Sequence, residues 1–159
     1  MSVRQAIIDN IVSTISGSGV VADAADSRPG SPEELAQRCT AGGFAWVYEG
    51  EEEPDETQTT STINCDLPVT VQIAYRFDSS DPQRRIDRVG REKFADLTVA
   101  MHADIGRGQN AAGQNNAVVT LEAGNGIGEL DLEDAHNVGI LTSDWIIKYH
   151  RRRDNPREV

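Results

Sequence analysis

The sequence predicts a single-domain α+β fold, in which a mixed or antiparallel sheet packs against an N-terminal helix and a long central helix. The strongest observation is a change of hydrophobic period within residues 67–105. From Val69 to Phe77 apolar and polar residues alternate, which is the period of a half-buried strand. From Ile86 to Ile105 apolar residues recur every three to five positions, as in an amphipathic helix. We therefore expect a strand followed by a helix that folds back across it.

Both long helices have sequence signals at their ends. Asp81 can accept hydrogen bonds from the first free amides of the central helix, and Gly106 can adopt the left-handed conformation that ends it. Near the N-terminus, Ser2 and Gln5 have the spacing of a capping box. The apolar stripe that follows predicts a helix to about Ser16.

Shorter elements are predicted between these helices. Val20 and Val21 indicate a short strand, and Ser31 followed by Pro32 begins a short second helix. Residues 44–50 read as a strand whose aromatic side chains share one face. These aromatic residues are Phe44, Trp46 and Tyr48.

Two further strands are predicted after the central helix. Residues 106–116 have the glycine and amide composition of a flexible loop, and residues 117–123 alternate as a strand does. A glycine-rich, acidic connection then leads to the closing strand, Gly139–His150. One face of this closing strand carries Leu141, Trp145, Ile147 and Tyr149, and the other carries Ile140 and Ile146 among polar residues.

Length and cysteine content favour a single domain that spans residues 1–159 and needs no disulfide for stability. A chain of 159 residues buries enough surface for a single core. Cys39 and Cys65 lack the spacing of a metal site, so we expect reduced, structural thiols, with a disulfide open only in an oxidising compartment. The N-terminus lacks a signal-peptide pattern, and no apolar run approaches the roughly 20 residues that span a bilayer. These features favour a cytoplasmic origin and no membrane partner.

Charge is distributed unevenly along the chain. Of the net charge of −11, residues 1–66 contribute twelve acidic and three basic residues (net −9). The segment 49–66 is predicted to begin as a mobile acidic loop and to continue as either an exposed β-arm or a solvated hairpin. Its candidate functional acids are Glu51, Glu52, Glu53, Asp55 and Glu56. The basic tail 151–159 begins with Arg151, Arg152 and Arg153, which are either a solvated end or a contact for an acidic partner.

No residue pattern indicates catalysis or a cofactor. The histidines His102, His136 and His150 belong to no metal-ligand motif, and residues 131–136 lack the spacing of a calcium loop. Gly106-Arg107-Gly108 lacks the pattern of a phosphate-binding loop. The acidic balance also argues against a dedicated DNA-binding surface. We therefore expect neither an enzyme nor a metal or other cofactor.

The order of elements resembles the tail terminator (minor tail, or tail completion) proteins of long-tailed bacteriophages. The resemblance is carried by the N-terminal helix VRQAIIDNIVSTI, the strand LPVTVQIAYRF, the long amphipathic helix, and the closing ILTSDWIIKYHRRRDNP. It implies a virion protein that forms a ring, usually hexameric, on top of the tail tube. Such a ring ends tube polymerisation and presents the docking surface for the head connector. The implied partners are further copies of the chain, the tube protein, the connector, and DNA that passes through the lumen without specific binding.

Within such a ring, the early acids would line the lumen or rim, and Arg151–Arg153 would pair across subunits or with the connector. Ile140 and Ile146 are candidate contacts, with a covering second layer as the alternative. Other functions remain open at this point: a head–tail connector or stopper protein, a tail tube protein, or a small ligand-binding α/β domain with a pocket near His102, His136 or Trp145.

Overall fold

The computed structural model describes residues 1–40, 42–57, 60–104, 106–116, 118–129 and 137–159, and it confirms the predicted α+β class. The described residues form helices α1 (Val3–Gly17), α2 (Pro32–Arg38) and α3 (Ile86–Ala103), and strands β1 (Asp23–Ala25), β2 (Phe44–Glu49), β3 (Glu53–Pro54), β4 (Thr62–Arg76), β5 (Val119–Glu129) and β6 (Val138–Arg152). All six strands belong to one sheet with the order β1-β2-β4-β6-β5, and β3 also pairs with β4. Among the strands of the described residues, only β1 and β2 pair in parallel.

The sheet is built around the pairing of β4 with β6. The two strands are antiparallel over 15 residues each, from Thr62 opposite Arg152 to Arg76 opposite Val138. At about 3.3 Å per residue, this ladder is about 45 Å long. The predicted strand at 69–77 is thus the second half of a longer one. The closing strand is confirmed and extends by one residue at its start and two at its end.

Pro68 lies inside β4, where a proline normally interrupts pairing. The carbonyl of Pro68 accepts a hydrogen bond from the Gly50 amide at 2.8 Å. Because the N–H and C=O of a strand residue point to the same side, the absent N–H of Pro68 points away from β6 and toward Gly50. The carbonyl of Gly50 accepts a hydrogen bond from Nη2 of Arg4 instead. The proline therefore costs the β4–β6 ladder no hydrogen bond.

One face of the sheet is covered by α1 and α3. The alternating residues of β4 that face these helices are buried, and so are their neighbours on β6. Helix α1 contributes a stripe of valine and isoleucine side chains to the same core, and α3 contributes Leu97, Ala100 and Met101. This face holds the main core of the protein.

The ends of the helices agree with the sequence analysis in part. Ser2 caps α1 by accepting a hydrogen bond from the Gln5 amide. The predicted cap of α3 is wrong, because Asp81 accepts from the Gln83 amide in a preceding turn and the helix begins at Ile86. Gly106 does not take the left-handed conformation. In this loop the next two residues, Arg107 and Gly108, do so, with φ of 45° and 75°.

The opposite face of the sheet is covered at one end only, by α2. Leu35 and Cys39 pack there on Phe44, Trp46, Ala74 and Val138 in a second apolar cluster. Arg76 fixes the C-terminal end of α2, since its Nε and Nη2 donate to the carbonyls of Cys39 and Ala36. The short second helix predicted from Ser31 is confirmed, and Ser31 accepts from the Glu34 amide.

Three predicted segments differ from the structure in extent. The short strand expected at Val20–Val21 is β1 at Asp23–Ala25, while both valines lie in the core. The strand expected to end at residue 123 continues to Glu129 as β5, with a bulge between Glu122 and Gly124. The loop 106–116 contains an isolated β-bridge from Gln109 to Asn115. Residues 131–136 and Ile105 lie outside the described residues.

Gly139 on β6 provides a test of the packing between α3 and the sheet. A Cβ there would lie 2.6 Å from Cζ of Tyr75, whose hydroxyl donates to the Ile86 carbonyl at the start of α3. We expect Gly139→Ala to lower the free energy of unfolding by about 1–3 kcal/mol in urea titration, because the ring cannot move without losing that bond.

Gly126→Ala on the adjacent strand is the matched control. A Cβ at Gly126 meets no atom within 4 Å. Its free energy of unfolding should change by less than about 0.5 kcal/mol. Equal effects of the two substitutions would show that Tyr75 does not pack against Gly139 as described.

Candidate functional surface

The part of the sheet that α2 leaves uncovered carries a row of apolar side chains. Strand register brings Pro68, Ile146 and Leu121 side by side, with Tyr48 and Val119 flanking them on the same face. We call these five residues the open patch. Tyr48, Val119 and Leu121 are 44%, 56% and 42% exposed. Isolated exposed apolar side chains are ordinary, but a contiguous group is typical of a contact surface.

A polar ladder separates the open patch from the cluster under α2. Trp46 donates its indole N–H to Oε1 of Gln72, and Nε2 of Gln72 donates to Oγ1 of Thr142. In the next row, Oγ1 of Thr70 donates to Oδ1 of Asp144 at 2.7 Å. These bonds tie β2, β4 and β6 together across the face. The open patch therefore lies beside a part of the sheet in which side-chain hydrogen bonds cross-link three strands.

A charged groove borders the open patch on its other side. It has a volume of about 560 Å³ and is lined by Glu53, Asp55, Asp66, Lys148 and His150, among others. Lys148 pairs with Asp66 at 2.9 Å across the β4–β6 ladder. A second, smaller hollow of about 270 Å³ runs between Glu53 and Asp144 over the patch itself. The surface around the apolar row is therefore predominantly acidic.

The two isoleucines predicted as contacts have different environments. Ile146 lies in the open patch between Pro68 and Leu121. Ile140 packs against the apolar cluster under α2, so the alternative of a covering layer applies to it. Period-two alternation placed both residues on the correct face. It could not show which end of that face α2 covers, because α2 is distant in sequence.

The acidic segment from Glu49 onward is held against the sheet rather than being a free loop. The side chain of Glu49 pairs with Arg4 at 2.5 Å, and the short strand β3 pairs with β4. The Asp55 amide donates to the Asn64 carbonyl at 2.8 Å. The segment is thus a hairpin paired within the chain, which was one of the two predicted forms. Its exposed acids are Glu49, Glu51, Glu53, Asp55 and Glu56.

Glu52 differs from these acids because its side chain turns inward. Its carboxylate accepts hydrogen bonds from the Tyr149 hydroxyl and from Nε and Nη2 of Arg151, the latter at 2.8 Å. Burial alone would raise the pKa of Glu52, but these bonds outweigh it and hold the pKa below its usual value. Burial and the neighbouring carboxylate raise the pKa of Cys65 to about 11, so its thiol stays protonated.

The three arginines of the tail have contacts within the chain. Arg151 pairs with Glu52, and Arg152 pairs with Asp154 and Glu158 at 3.3 and 3.2 Å. The amide of Arg153 donates to the Ser61 carbonyl. Arg151 therefore holds the acidic hairpin against the sheet. A joint replacement of all three arginines would loosen the fold as well as remove surface charge.

A second group of arginines lies at the start of α3 and was missed by the sequence analysis. Arg84, Arg85, Arg88 and Arg91 are all exposed. Arg88 and Arg91 pair with Glu92 and Asp87 along the helix, at 3.6 and 2.6 Å. The signal was present in the sequence as QRRIDRVGR, but Asp87 divides it.

The loop Gly106-Arg107-Gly108 is already filled by a carboxylate of the chain itself. Asp104 accepts hydrogen bonds from the amides of all three residues, at 3.0 to 3.3 Å. The side chain of Arg107 is buried and donates to Thr120, and burial lowers its pKa to about 10. The amides that would hold a phosphate are therefore occupied.

Within the described ranges, no group of three or more His, Cys, Asp or Glu residues is arranged to hold a metal ion. His102 packs edge-on against Trp145 with ring centroids 5.8 Å apart, whereas His136 and the candidate calcium segment 131–136 lie outside those ranges. Cys39 and Cys65 are both buried and do not form a disulfide with each other. Across the residues that the structure describes, no helix combines the length and apolarity needed to span a membrane.

No protein-family model matches this chain, and a search of curated proteins gives no significant match.

Replacement of Glu52 tests whether its ion pair with Arg151 holds the acidic hairpin in place. We expect Glu52→Gln to lower the free energy of unfolding at pH 7 by about 1–3 kcal/mol, because Arg151 loses a charged acceptor in a half-buried site. The pKa of Glu52 is depressed on folding, so this stability is present above the ordinary carboxyl pKa and is lost as the pH falls through the folded value. The difference from wild type should therefore shrink below about pH 4.

Glu51→Gln is the matched control, since Glu51 precedes Glu52 in the same segment and is exposed. Its urea unfolding curve should coincide with that of wild type from pH 3 to pH 7. A constant difference between Glu52→Gln and wild type over this range would contradict an ionised Glu52 in the folded state.

Proposed function

We propose that this protein is a ring-forming assembly protein of the bacteriophage tail, of the tail terminator type. The observation that carries the proposal is the open patch. Two helices cover one face of the sheet, whereas the other face keeps exposed apolar side chains at Tyr48, Val119 and Leu121. Burial of apolar area of this kind is the main driving force of subunit association.

The kind of assembly is taken from the resemblance in sequence. An N-terminal helix, a long strand, an amphipathic helix and a closing strand occur in the expected order, as α1, β4, α3 and β6. In the proposed ring, copies of the chain contact one another, the tube protein and the head connector. The ring would stop growth of the tube and present the surface on which the head docks, within a virion assembled in the host cytoplasm.

The acidic hairpin suits the lumen of such a ring. Glu51, Glu53, Asp55 and Glu56 project into solvent, while Glu52 holds the segment in place through Arg151 and Tyr149. Fixed carboxylates repel the phosphates of passing DNA, which keeps the nucleic acid from adhering to the wall. This role needs no base-specific contact.

Electron microscopy of particles from a phage in which this reading frame is disrupted tests the proposal. We expect tails of uncontrolled length without attached heads, because an uncapped tube continues to polymerise. Supply of the wild-type protein from a plasmid should restore particles of normal length with heads attached, which is the control for effects on neighbouring genes.

Two other outcomes would overturn the terminator proposal in different ways. Finished tails of normal length beside unattached, DNA-filled heads would assign the protein to the connector or stopper position in the neck. Normal particles would exclude a structural role in the tail. The charged groove beside the open patch would then be the first place to look for a small ligand.

A further inference from the structure

We infer that the open patch of one copy receives the outer surface of α3 from the next copy, so that the subunits join head to tail. This inference rests on the proposed function, since it supplies the contact that would build the ring. It commits to a second copy of the same chain as the occupant of the patch.

The outer surface of α3 offers an apolar centre of matching character. Val99 is 72% exposed, which is the highest value among the large apolar side chains of the described residues. Ala95 is exposed four positions earlier, one turn toward the helix start and on the same side. The open patch presents Leu121, Ile146 and Pro68 as a shallow apolar row without a covering element in the described chain. A helix laid on this row would repeat what α3 already does on the opposite face.

Charge at the start of α3 complements the rim of the open patch, whereas the exposed Asp96 lies beside Val99 itself, and charge opposes the simplest alternative. The rim of the open patch carries Glu53, Asp66 and Asp144, of which Asp66 is balanced by Lys148. The start of α3 carries four exposed arginines, of which Arg88 and Arg91 pair with Glu92 and Asp87. Arg84 interacts electrostatically with Asp78, and among the described residues no carboxylate forms an ion pair with Arg85. Two open patches placed face to face would bring the acidic rims together, which is unfavourable.

Geometry then determines the type of symmetry. The open patch and the outer surface of α3 lie on opposite sides of the domain, because the sheet and the main core separate them. In a dimer with two-fold symmetry, the patch and the helix of each copy would both have to face the same partner. Surfaces on opposite sides of the domain cannot do so. Each copy therefore contributes its patch to one neighbour and its helix to the other, which is a heterologous contact that closes into a ring when the rotation between copies allows it.

Disulfide trapping tests the contact directly. The chain has only two other cysteines, and both are buried, so introduced cysteines can be read without interference. A variant with Val99→Cys and Leu121→Cys together should form a ladder of covalent oligomers under mild oxidation at high protein concentration. Each single variant should remain monomeric, because a head-to-tail contact brings position 99 of one copy to position 121 of the next and never pairs a position with itself.

Leu121→Cys combined with Ile127→Cys is the matched control. Ile127 is an apolar residue of similar exposure, 37%, on the same strand, but it faces the helix side of the sheet. This pair should give no ladder. A dimer from Leu121→Cys alone would show that patches meet face to face and would overturn the inference. Absence of a Val99–Leu121 ladder above this control would overturn it as well.

Complementation with Val99→Glu separates this inference from the proposed function. Val99 is exposed in the monomer, so the substitution should leave the urea unfolding curve within about 0.5 kcal/mol of wild type. We expect it to fail to restore headed tails in the phage that lacks the reading frame, where wild type succeeds. Full restoration by Val99→Glu would overturn the head-to-tail contact while leaving the terminator function intact. A phage whose particles are normal without the protein would instead overturn the function itself.

Discussion

The pairing of β4 with β6 is the constraint on which every other part of this molecule depends. Its 15 residue pairs define two faces, and all apolar side chains of one parity point to α1 and α3. The neighbouring strands attach at the edges of this pair, β2 and β3 on one side and β5 on the other. The open patch, the polar ladder and the charged groove are successive rows of the same surface, so their spacing is set by the strand repeat rather than by loops.

Much of this architecture is predictable because burial imposes a period on the sequence. Residues 69–77 and 139–150 alternate cleanly, and both segments are strands whose buried parity was assigned correctly. The first half of β4 was not recognised. Its partner residues on β6 lie more than 75 positions away, and Pro68 reads locally as an interruption. The predicted start of α3 was wrong for a related reason. An aspartate such as Asp81 can accept a backbone hydrogen bond in a turn as readily as at the start of a helix.

The candidate surface shows the same division between local and distant information. The alternation of apolar and polar residues along the closing strand is enough to place Ile146 on the open face. In contrast, Glu52 and Arg151 were predicted as separate features, an acidic lumen and a basic contact, and they pair with each other across 99 positions. An ion pair between distant segments leaves no mark on either one. The sequence therefore indicated which residues are charged, and only the fold shows which charges remain available to a partner.

Pro68 also protects the long β4–β6 ladder against misalignment. A slip of one residue would turn every side chain of a strand to the other face, and backbone hydrogen bonds alone do not discriminate between the two arrangements. If β4 were turned over about its own axis, the nitrogen of Pro68 would face β6 with no hydrogen to donate, and the loss would coincide with exposure of Val69 and Val71. In the correct orientation that nitrogen points toward Gly50, whose carbonyl accepts a hydrogen bond from Arg4 instead. One imino acid thus makes the wrong sheet costly while leaving the right one complete.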